Sequence, residues 1–139
     1  MASDALNFDA LAFDANSGVN KSGETAYLSA ALSLPAWYFV GAAPDDAPEE
    51  LEPLIGVVEN EPHLFVFTEE PRAESVAARR AGQKGCEAVT LHMETAEAVG
   101  YCRSLAEHGV WGVHFNDGEH SVSVQIDRLL AVASRSGSA

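Results

Sequence analysis

A chain of 139 residues with 47% hydrophobic content is long enough for one compact domain that buries roughly two thirds of its unfolded surface. Its formal net charge of −13, from 21 acidic and 8 basic side chains, repels phosphate backbones and anionic headgroups, so we expect no nucleic-acid partner and no membrane partner. No apolar run approaches the roughly 20 residues that cross a bilayer, and residues 1–15 carry no basic side chain, which predicts a cytoplasmic location.

The beginning of the chain repeats the tripeptide Phe-Asp-Ala at residues 8–10 and 13–15. Two aromatic side chains five residues apart could serve as a lid or bind a partner. A terminus without tight packing is the simpler interpretation, so we predict a flexible or loosely docked segment over residues 1–22. The folded domain is expected over residues 23–133, and residues 134–139 as a frayed tail.

The next part of the chain predicts a helix, a strand and an acidic loop. Ser22 can cap a helix over residues 24–33, which Pro35 ends. Residues 37–41 form an aromatic and β-branched run of strand type. A solvated loop is expected to follow, because it holds two prolines and five acidic side chains: Asp45, Asp46, Glu49, Glu50 and Glu52.

Two strand-like runs, 54–58 and 63–68, flank a connection of hairpin length at 59–62, which predicts a β-hairpin. Thr68 has acids and a proline directly after it, where a first helical turn favours them. We therefore expect Thr68 to cap a helix that stops at Gly82.

A strand at residues 88–92 and a second long helix are predicted next. Thr95 is expected to cap this helix, and Gly109 to end it in a left-handed conformation. The face of the helix includes Cys102, which we interpret as a reduced core thiol, since two cysteines are too few for a secreted disulfide framework.

The strongest local pattern is Asp117-Gly118 between two alternating runs, which predicts a two-residue turn with Asn116 facing Glu119 and Val113 facing Val122. Side chains expected on the buried face are those of Trp111, Val113, Phe115, His120, Val122, Val124 and Ile126. Those expected on the outer face are His114, Asn116, Glu119, Ser121, Ser123 and Gln125. Asp127 can cap a final helix.

These elements combine into an α+β fold, predicted as a mainly antiparallel sheet of about five or six short strands with helices packed on one face. Their order resembles the N-terminal domain of the SseB family, bacterial proteins named for an enhanced serine sensitivity phenotype. The resemblance lies in a leading helix before residues 37–40, the hairpin ending in 63–69, the helix after Thr95, and residues 109–116. It implies an α+β domain with no established reaction.

Metal and cofactor chemistry is not indicated. Cys102 and His108 lie six residues apart on one predicted helix, about 120° away from each other, whereas metal ligands need a spacing of three or four. The predicted hairpin register places His114 and His120 on opposite faces. The chain has no Gly-x-Ser-x-Gly elbow and no phosphate-binding loop, and we expect no cofactor.

Two functional hypotheses follow. The first is a non-catalytic binding or interaction module for a protein partner or a small ligand. Its candidate surfaces are the acidic loop, suited to a basic protein, and the outer strip of the last hairpin: His114, Asn116, Glu119, Ser121 and Ser123. The alternative is a small metal-dependent or hydrolytic enzyme that uses His114 with Asn116, Asp117 or Glu119.

Overall fold

A computed structural model describes residues 8–16, 22–42, 52–84, 89–117 and 121–135 of the chain. These residues form helices and strands in the following order: α1 (Phe8–Asn16), α2 (Ser22–Leu32), β1 (Ala36–Ala42), β2 (Glu52–Pro53), β3 (Ile55–Val58), β4 (Glu61–Val66), α3 (Glu70–Lys84), β5 (Val89–Glu94), α4 (Thr95–Glu107), β6 (Gly112–Phe115), β7 (Val122–Gln125) and α5 (Ile126–Arg135). The helix after Thr68 thus continues beyond Gly82, where the sequence predicted its end.

The described strands form two sheets, one with the order β2-β1-β5 and one with the order β3-β4-β6-β7. All neighbouring strands are antiparallel except β4 and β6, which run parallel. Among the described residues, an isolated antiparallel bridge between Tyr38 and Phe67 connects the two sheets, and Leu54 bonds to both β1 and β4. The α+β class and the mostly antiparallel pairing are confirmed.

The helices divide between the two faces of β1, whereas the sequence predicted them on one face. Trp37 and Phe39 contribute to the larger core, which also contains buried residues of α1, α2, α4 and α5. Val40 points the other way, into a smaller core with Phe67 and with Val76 of α3. The unbroken apolar run of β1 explains this arrangement, since a strand buried on both faces does not alternate with polar residues.

Helix α1 is part of the larger core, which corrects the prediction of a loosely docked segment for residues 8–16. Phe8 and Ala12 are buried because their spacing of four places both on one face of the helix. The Phe8 ring meets the Tyr27 ring edge-on with 5.4 Å between centroids. Asp9 accepts a 2.8 Å hydrogen bond from Arg72 of α3, while Phe13 stays 75% exposed.

The first predicted hairpin is confirmed, and its turn is tighter than the predicted four-residue connection. Val58 pairs with Glu61, so only Glu59 and Asn60 connect β3 to β4. Both have positive φ angles, 52° and 71°, as a two-residue turn of the primed type requires.

The predicted threonine caps are wrong by one residue. Helix α3 begins at Glu70, and the first hydrogen bonds of its opening turn go to the carbonyl of Glu69. Glu94 occupies the N-cap position of α4, and the Thr95 hydroxyl donates to the Leu34 carbonyl, which connects α4 to the end of α2. The left-handed stop at Gly109 is confirmed, with a φ of 94°.

The register of the last hairpin differs from the prediction by two residues. Val113 pairs with Val124 and Phe115 with Val122, so Val113 and Val122 are not opposite each other. A shift of two leaves the paired residues of β6 and β7 on their predicted faces, and Phe115 and Val122 are buried as expected. The connection between the strands is consequently longer than the predicted two-residue turn.

Asn116 is the cause of the longer connection. Its φ of 54° takes the chain out of the strand conformation directly after β6. Its side chain is buried, accepting a 3.0 Å hydrogen bond from the Thr68 N–H and donating to the Thr68 hydroxyl at 3.0 Å and to the Tyr27 hydroxyl at 3.2 Å. Burial raises the pKa of Tyr27, so this phenol remains protonated and available to the network. We call Asn116, Thr68 and Tyr27 the buried polar network.

Two substitutions at Asn116 should distinguish the stability that its side-chain hydrogen bonds contribute from the stability that depends on its backbone conformation. We expect Asn116→Gly to lower the free energy of unfolding by about 2–4 kcal/mol, because two buried partners lose their hydrogen bonds. Asn116→Ala should be worse by about 1 kcal/mol, since alanine also resists a positive φ. Urea denaturation of the three proteins measures both differences. Equal stability of the two variants would contradict the conformational part, and wild-type stability in both would contradict the network.

Candidate functional site

The predicted outer strip of the last hairpin does not form one surface. His114 and Ser123 lie opposite each other on β6 and β7, whereas Asn116 points into the buried polar network. The Ser121 carbonyl accepts a 2.8 Å hydrogen bond from the Asn16 side chain, outside this pair. Glu119 lies outside the described residues. The strip therefore reduces to His114 and Ser123.

The acidic loop is also largely outside the described residues. The residues outside are Asp45, Asp46, Glu49 and Glu50. Glu52 belongs to β2 and pairs through its backbone with Ala42. The docking of a basic protein at this loop stays a prediction.

His114 is held between a carboxylate and a hydroxyl. Its Nε2 lies 3.0 Å from Oδ1 of Asp117, and its Nδ1 lies 2.6 Å from Oγ of Ser123. A carboxylate only accepts, so Nε2 carries the hydrogen, and in the neutral ring Nδ1 accepts from the Ser123 hydroxyl. The proton positions of all three side chains are therefore mutually determined.

Burial lowers the pKa of His114 below its ordinary value of 6.5. The hydrogen bond and charge of Asp117 act in the opposite direction, and the nearby His63 adds to the lowering. With 7% of its surface exposed, the ring is neutral at physiological pH, as the tautomer argument requires.

His63 lies beside this pair and was not predicted as a site residue. It is 1% exposed, and its Nδ1 lies 2.9 Å from the Glu61 carbonyl, which can only accept. Nδ1 therefore donates, and the neutral tautomer that this bond selects has its lone pair on Nε2. Among the described residues, that buried Nε2 has no hydrogen-bond partner.

Gly112 makes room for the His63 ring. His63 and Gly112 are paired across β4 and β6, and a Cβ atom at Gly112 would lie 3.1 Å from the His63 Nε2 and 2.4 Å from the Val124 carbonyl oxygen. The Val124 carbonyl oxygen therefore leaves no room for a Cβ atom at this position, and the His63 ring lies in tight contact with the same space.

Four aromatic rings follow one another along this face of the sheet, and we call them the aromatic row. Centroid distances are 5.1 Å between Trp111 and His63, 6.4 Å between His63 and His114, and 4.9 Å between His114 and Phe65. Trp111 was predicted to be buried but is 39% exposed, because it precedes β6 and its ring lies against His63. The row thus ends in an accessible indole.

A cavity of about 200 Å³ opens beside the Trp111 end of the row, and we call it the His63 cavity. It is lined by Val58, Glu59, Glu61, His63, Trp111 and Ser123. This set contains carboxylates, a hydroxyl and an imidazole, and no lysine or arginine. The parallel pairing of β4 with β6 brings His63 to His114, a contact that spacing within one hairpin or helix could not predict.

Other reactive side chains do not extend this site. The described residues contain no group of three His, Cys, Asp or Glu side chains that could hold a metal ion. Burial raises the pKa of the Cys102 thiol to about 12, which makes it a poor nucleophile at neutral pH. Arg79 lines a different cavity of about 340 Å³ with Arg72 and Asp117, and Arg72 is already paired with two carboxylates.

No protein-family model matches the chain, and no curated protein sequence matches it. The resemblance to the SseB domain consequently depends on the residues quoted for it and stays a prediction. Within the part of the chain that the structure describes, no helix has both the length and the apolar character needed to cross a membrane.

The lowered pKa of His114 predicts a pH-dependent contribution to stability. The unfolded chain binds a proton more readily than the folded one, so this contribution is complete above about pH 6.5 and is lost as the pH falls below that value. We expect the difference in the free energy of unfolding between wild type and His114→Gln to shrink from about pH 7.5 to about pH 5. Urea denaturation across this range measures it. A difference that grows towards acid pH would show that the folded state prefers the charged ring.

Proposed function

We propose that the chain is a non-catalytic binding module and that the His63 cavity is its binding site. The observation that carries the proposal is the buried His63 in the wall of the cavity, whose Nε2 has no hydrogen-bond partner among the described residues. The half-exposed Trp111 beside it offers an aromatic surface to the same ligand.

The energetic cost of this arrangement supports the proposal. A buried polar atom without a hydrogen bond costs about 1–3 kcal/mol, and natural structures contain few of them. An unsatisfied group of this kind in the wall of a cavity is therefore a candidate for a functional role. Exposed tryptophan adds to the argument, since tryptophan is among the residues that most often dominate binding energy.

The resemblance to the N-terminal domain of the SseB family agrees with a binding role, because it implies no established reaction. The α+β class and the hairpin before α3 are compatible with that resemblance. Family membership, the cytoplasmic location and the lack of nucleic-acid and membrane partners remain predictions from the sequence.

A small hydrolase is the second candidate, because one observation favours it. Ser123, His114 and Asp117 form a continuous hydroxyl–imidazole–carboxylate chain, the arrangement that activates a serine nucleophile. The lowered pKa of His114 keeps the ring neutral and able to accept the hydroxyl proton.

The position of Ser123 favours the binding module over the hydrolase. Ser123 lies inside strand β7, and the next helix, α5, begins at Ile126. Nucleophilic serines of hydrolases are characteristically presented at a strained turn into a helix, where backbone N–H groups stabilise the developing oxyanion. The contact between Ser123 and His114 is of the kind that directly opposed residues of two antiparallel strands ordinarily make.

Binding at the His63 cavity can be tested with the two tryptophans of the chain. The indole N–H of Trp37 is buried and donates to the Ala31 carbonyl, so its NMR signal should stay fixed as an internal control. A screen of small fragments covering cationic, neutral and anionic groups should contain compounds that shift the Trp111 indole signal. Trp111→Ala, measured by isothermal titration calorimetry because this variant lacks the reporting indole, should weaken their binding about tenfold or more.

The matched control is Val57→Ser, which changes an exposed apolar side chain of β3 that does not line the cavity and should leave the affinity unchanged. Compounds that shift only residues around the separate cavity of about 370 Å³ between α4 and α5 would contradict the assignment. So would a screen in which no compound shifts Trp111.

The hydrolase can be tested with a fluorophosphonate probe, which labels activated serines. We expect no labelling of Ser123, because the described geometry provides a base for the hydroxyl but holds it inside a strand. The wild type should therefore match Ser123→Ala and the surface control Ser29→Ala. Labelling that disappears in both Ser123→Ala and His114→Gln would instead establish the hydrolase.

A further inference from the structure

We propose that the free edge of strand β3 is a docking surface for an extended segment of a partner protein. The segment has apolar side chains two residues apart, with basic residues on either side of them. It adds a strand to the sheet with the order β3-β4-β6-β7. The groups that carry this inference lie outside the His63 cavity, so it is independent of the proposed function.

The backbone of β3 directs the polar groups of two residues away from its sheet. The Leu54 carbonyl accepts a 3.1 Å hydrogen bond from the Phe65 N–H of β4. The described residues contain no cis peptide bond, and the C=O and N–H of a trans peptide point in opposite directions, so the Ile55 N–H points away from β4. Because an antiparallel ladder repeats every second residue, the N–H and C=O of both Ile55 and Val57 face the free edge.

These outward groups have no partner in the part of the chain that the structure describes. There, β3 is the first strand of its sheet and pairs with β4 alone. The backbone hydrogen bonds outside the ladders do not involve Ile55 or Val57. The side chains are accessible as well, with 39% of Ile55 and 74% of Val57 exposed. An added strand can therefore reach both the backbone and the side chains of this edge.

Strand β3 lacks the features that keep a free edge from pairing with another chain. Charged side chains, proline and a very short strand are the usual protections. The residues of β3 are Ile55, Gly56, Val57 and Val58, none of which is charged or a proline. Strand β2, at an edge of the other sheet, has two residues, and one of them is Pro53. The edge of β3 is thus open to strand addition in a way that β2 is not.

The two faces of β3 specify the side chains of the partner. Ile55 and Val57 share one face, because alternate residues of a strand do. On the other face the Phe65 ring covers Gly56, where a Cβ atom would lie 2.9 Å from the ring. A strand that bonds to Ile55 and Val57 places its two opposing side chains directly beside theirs. Apolar, β-branched side chains at these two positions complement the exposed isoleucine and valine.

The charge of the chain favours a basic partner over a second copy. Two copies that each carry a net charge of −13 repel each other. Glu59 and Glu61 are exposed at the turn directly after β3. Basic residues that flank the apolar pair of the partner approach these carboxylates, and such complementarity accelerates association at low salt. The edge therefore fits a basic segment of another protein better than it fits a second β3.

Amide hydrogen exchange measures whether the edge is free. In the unbound chain we expect rapid exchange at Ile55 and Val57, whose N–H groups face outward. The Gly56 N–H, which the same ladder directs to His63 of β4, should be protected. Equal protection of all three amides would overturn the inference.

The binding probe is a seven-residue peptide with valine at its third and fifth positions, threonine at its second, fourth and sixth, and lysine at both ends. We expect it to protect the Ile55 and Val57 amides and to shift their NMR signals. N-methylation of both valines removes the N–H groups that bond to β3 and should weaken binding about tenfold or more. N-methylation of the fourth and sixth residues is the matched control, because their N–H groups point away from β3.

A variant of the chain tests the same bond from the other side. Val57→Pro removes the outward N–H, and proline is tolerated at edge positions whose N–H faces solvent. It should weaken peptide binding about tenfold or more. Val57→Ile retains the N–H and the β-branched shape and should bind as the wild type does. Should Val57→Pro fail to fold, the two methylated peptides test the bond on the unaltered chain.

The remaining outcomes decide the nature of the partner. Equal binding of the two methylated peptides, or no binding of the unmodified one, overturns strand addition. A peptide with glutamate at both ends should bind more weakly than the lysine form, and equal affinity overturns the basic partner. Analytical ultracentrifugation should find a monomer. A dimer that dissociates in Val57→Pro would assign the edge to a second copy and overturn the inference. Fragment binding at Trp111 is measured separately, so either proposal can fail alone.

Discussion

The side chain of Asn116 joins three parts of the fold that are distant in sequence. Its amide bonds the junction between β4 and α3 at Thr68 and the phenol of Tyr27 on α2, while its own N–H donates to the Val66 carbonyl at 2.8 Å. Because each of these groups is buried, an alternative arrangement would leave polar atoms unpaired in the core. The end of β6 is therefore fixed relative to both the neighbouring sheet strand and the helical layer.

The position of the candidate site follows from this constraint. Asn116 turns the chain out of β6, so Asp117 does not continue the strand. Its carboxylate lies beside the ring of His114, which precedes it by three residues. The carboxylate then sets the tautomer of His114, and His114 sets the orientation of the Ser123 hydroxyl. A buried amide in the core thus influences, through Asp117 and His114, the orientation of the Ser123 hydroxyl in the wall of the cavity.

The parts of the fold governed by local chemistry could be predicted from the sequence. Periodicity and cap residues located α2, α3, α4 and α5 but not α1, Gly109 marked the end of α4, and the predicted face in the last hairpin was correct for Val113 and Phe115. The register of that hairpin was wrong, because Asp-Gly predicts a two-residue turn in isolation. The hydrogen bonds of Asn116 to Thr68 and Tyr27, which no local pattern contains, determine where the strand ends.

The same division applies to the site. His114 and Ser123 were predicted as neighbours on one outer face, and their alternation along the strands was sufficient for this. His63 was missed because it reaches His114 only through the parallel pairing of β4 and β6, which depends on tertiary structure. A glycine directly opposite a histidine, as Gly112 is to His63, becomes informative only when that pairing is known.

The charge of the molecule and the polarity of the cavity are consistent with each other. A net charge of −13 produces a field that attracts cations over distances comparable with the Debye length, about 8 Å at physiological salt. Such a field does not select among cations, and it would concentrate inorganic ions as readily as organic ones. Selection requires directional groups at short range, and in the wall of the His63 cavity the Ser123 oxygen, whose hydrogen is committed to His114, is such a group. A neutral hydroxyl in this position avoids the desolvation cost that an unpaired buried charge would carry.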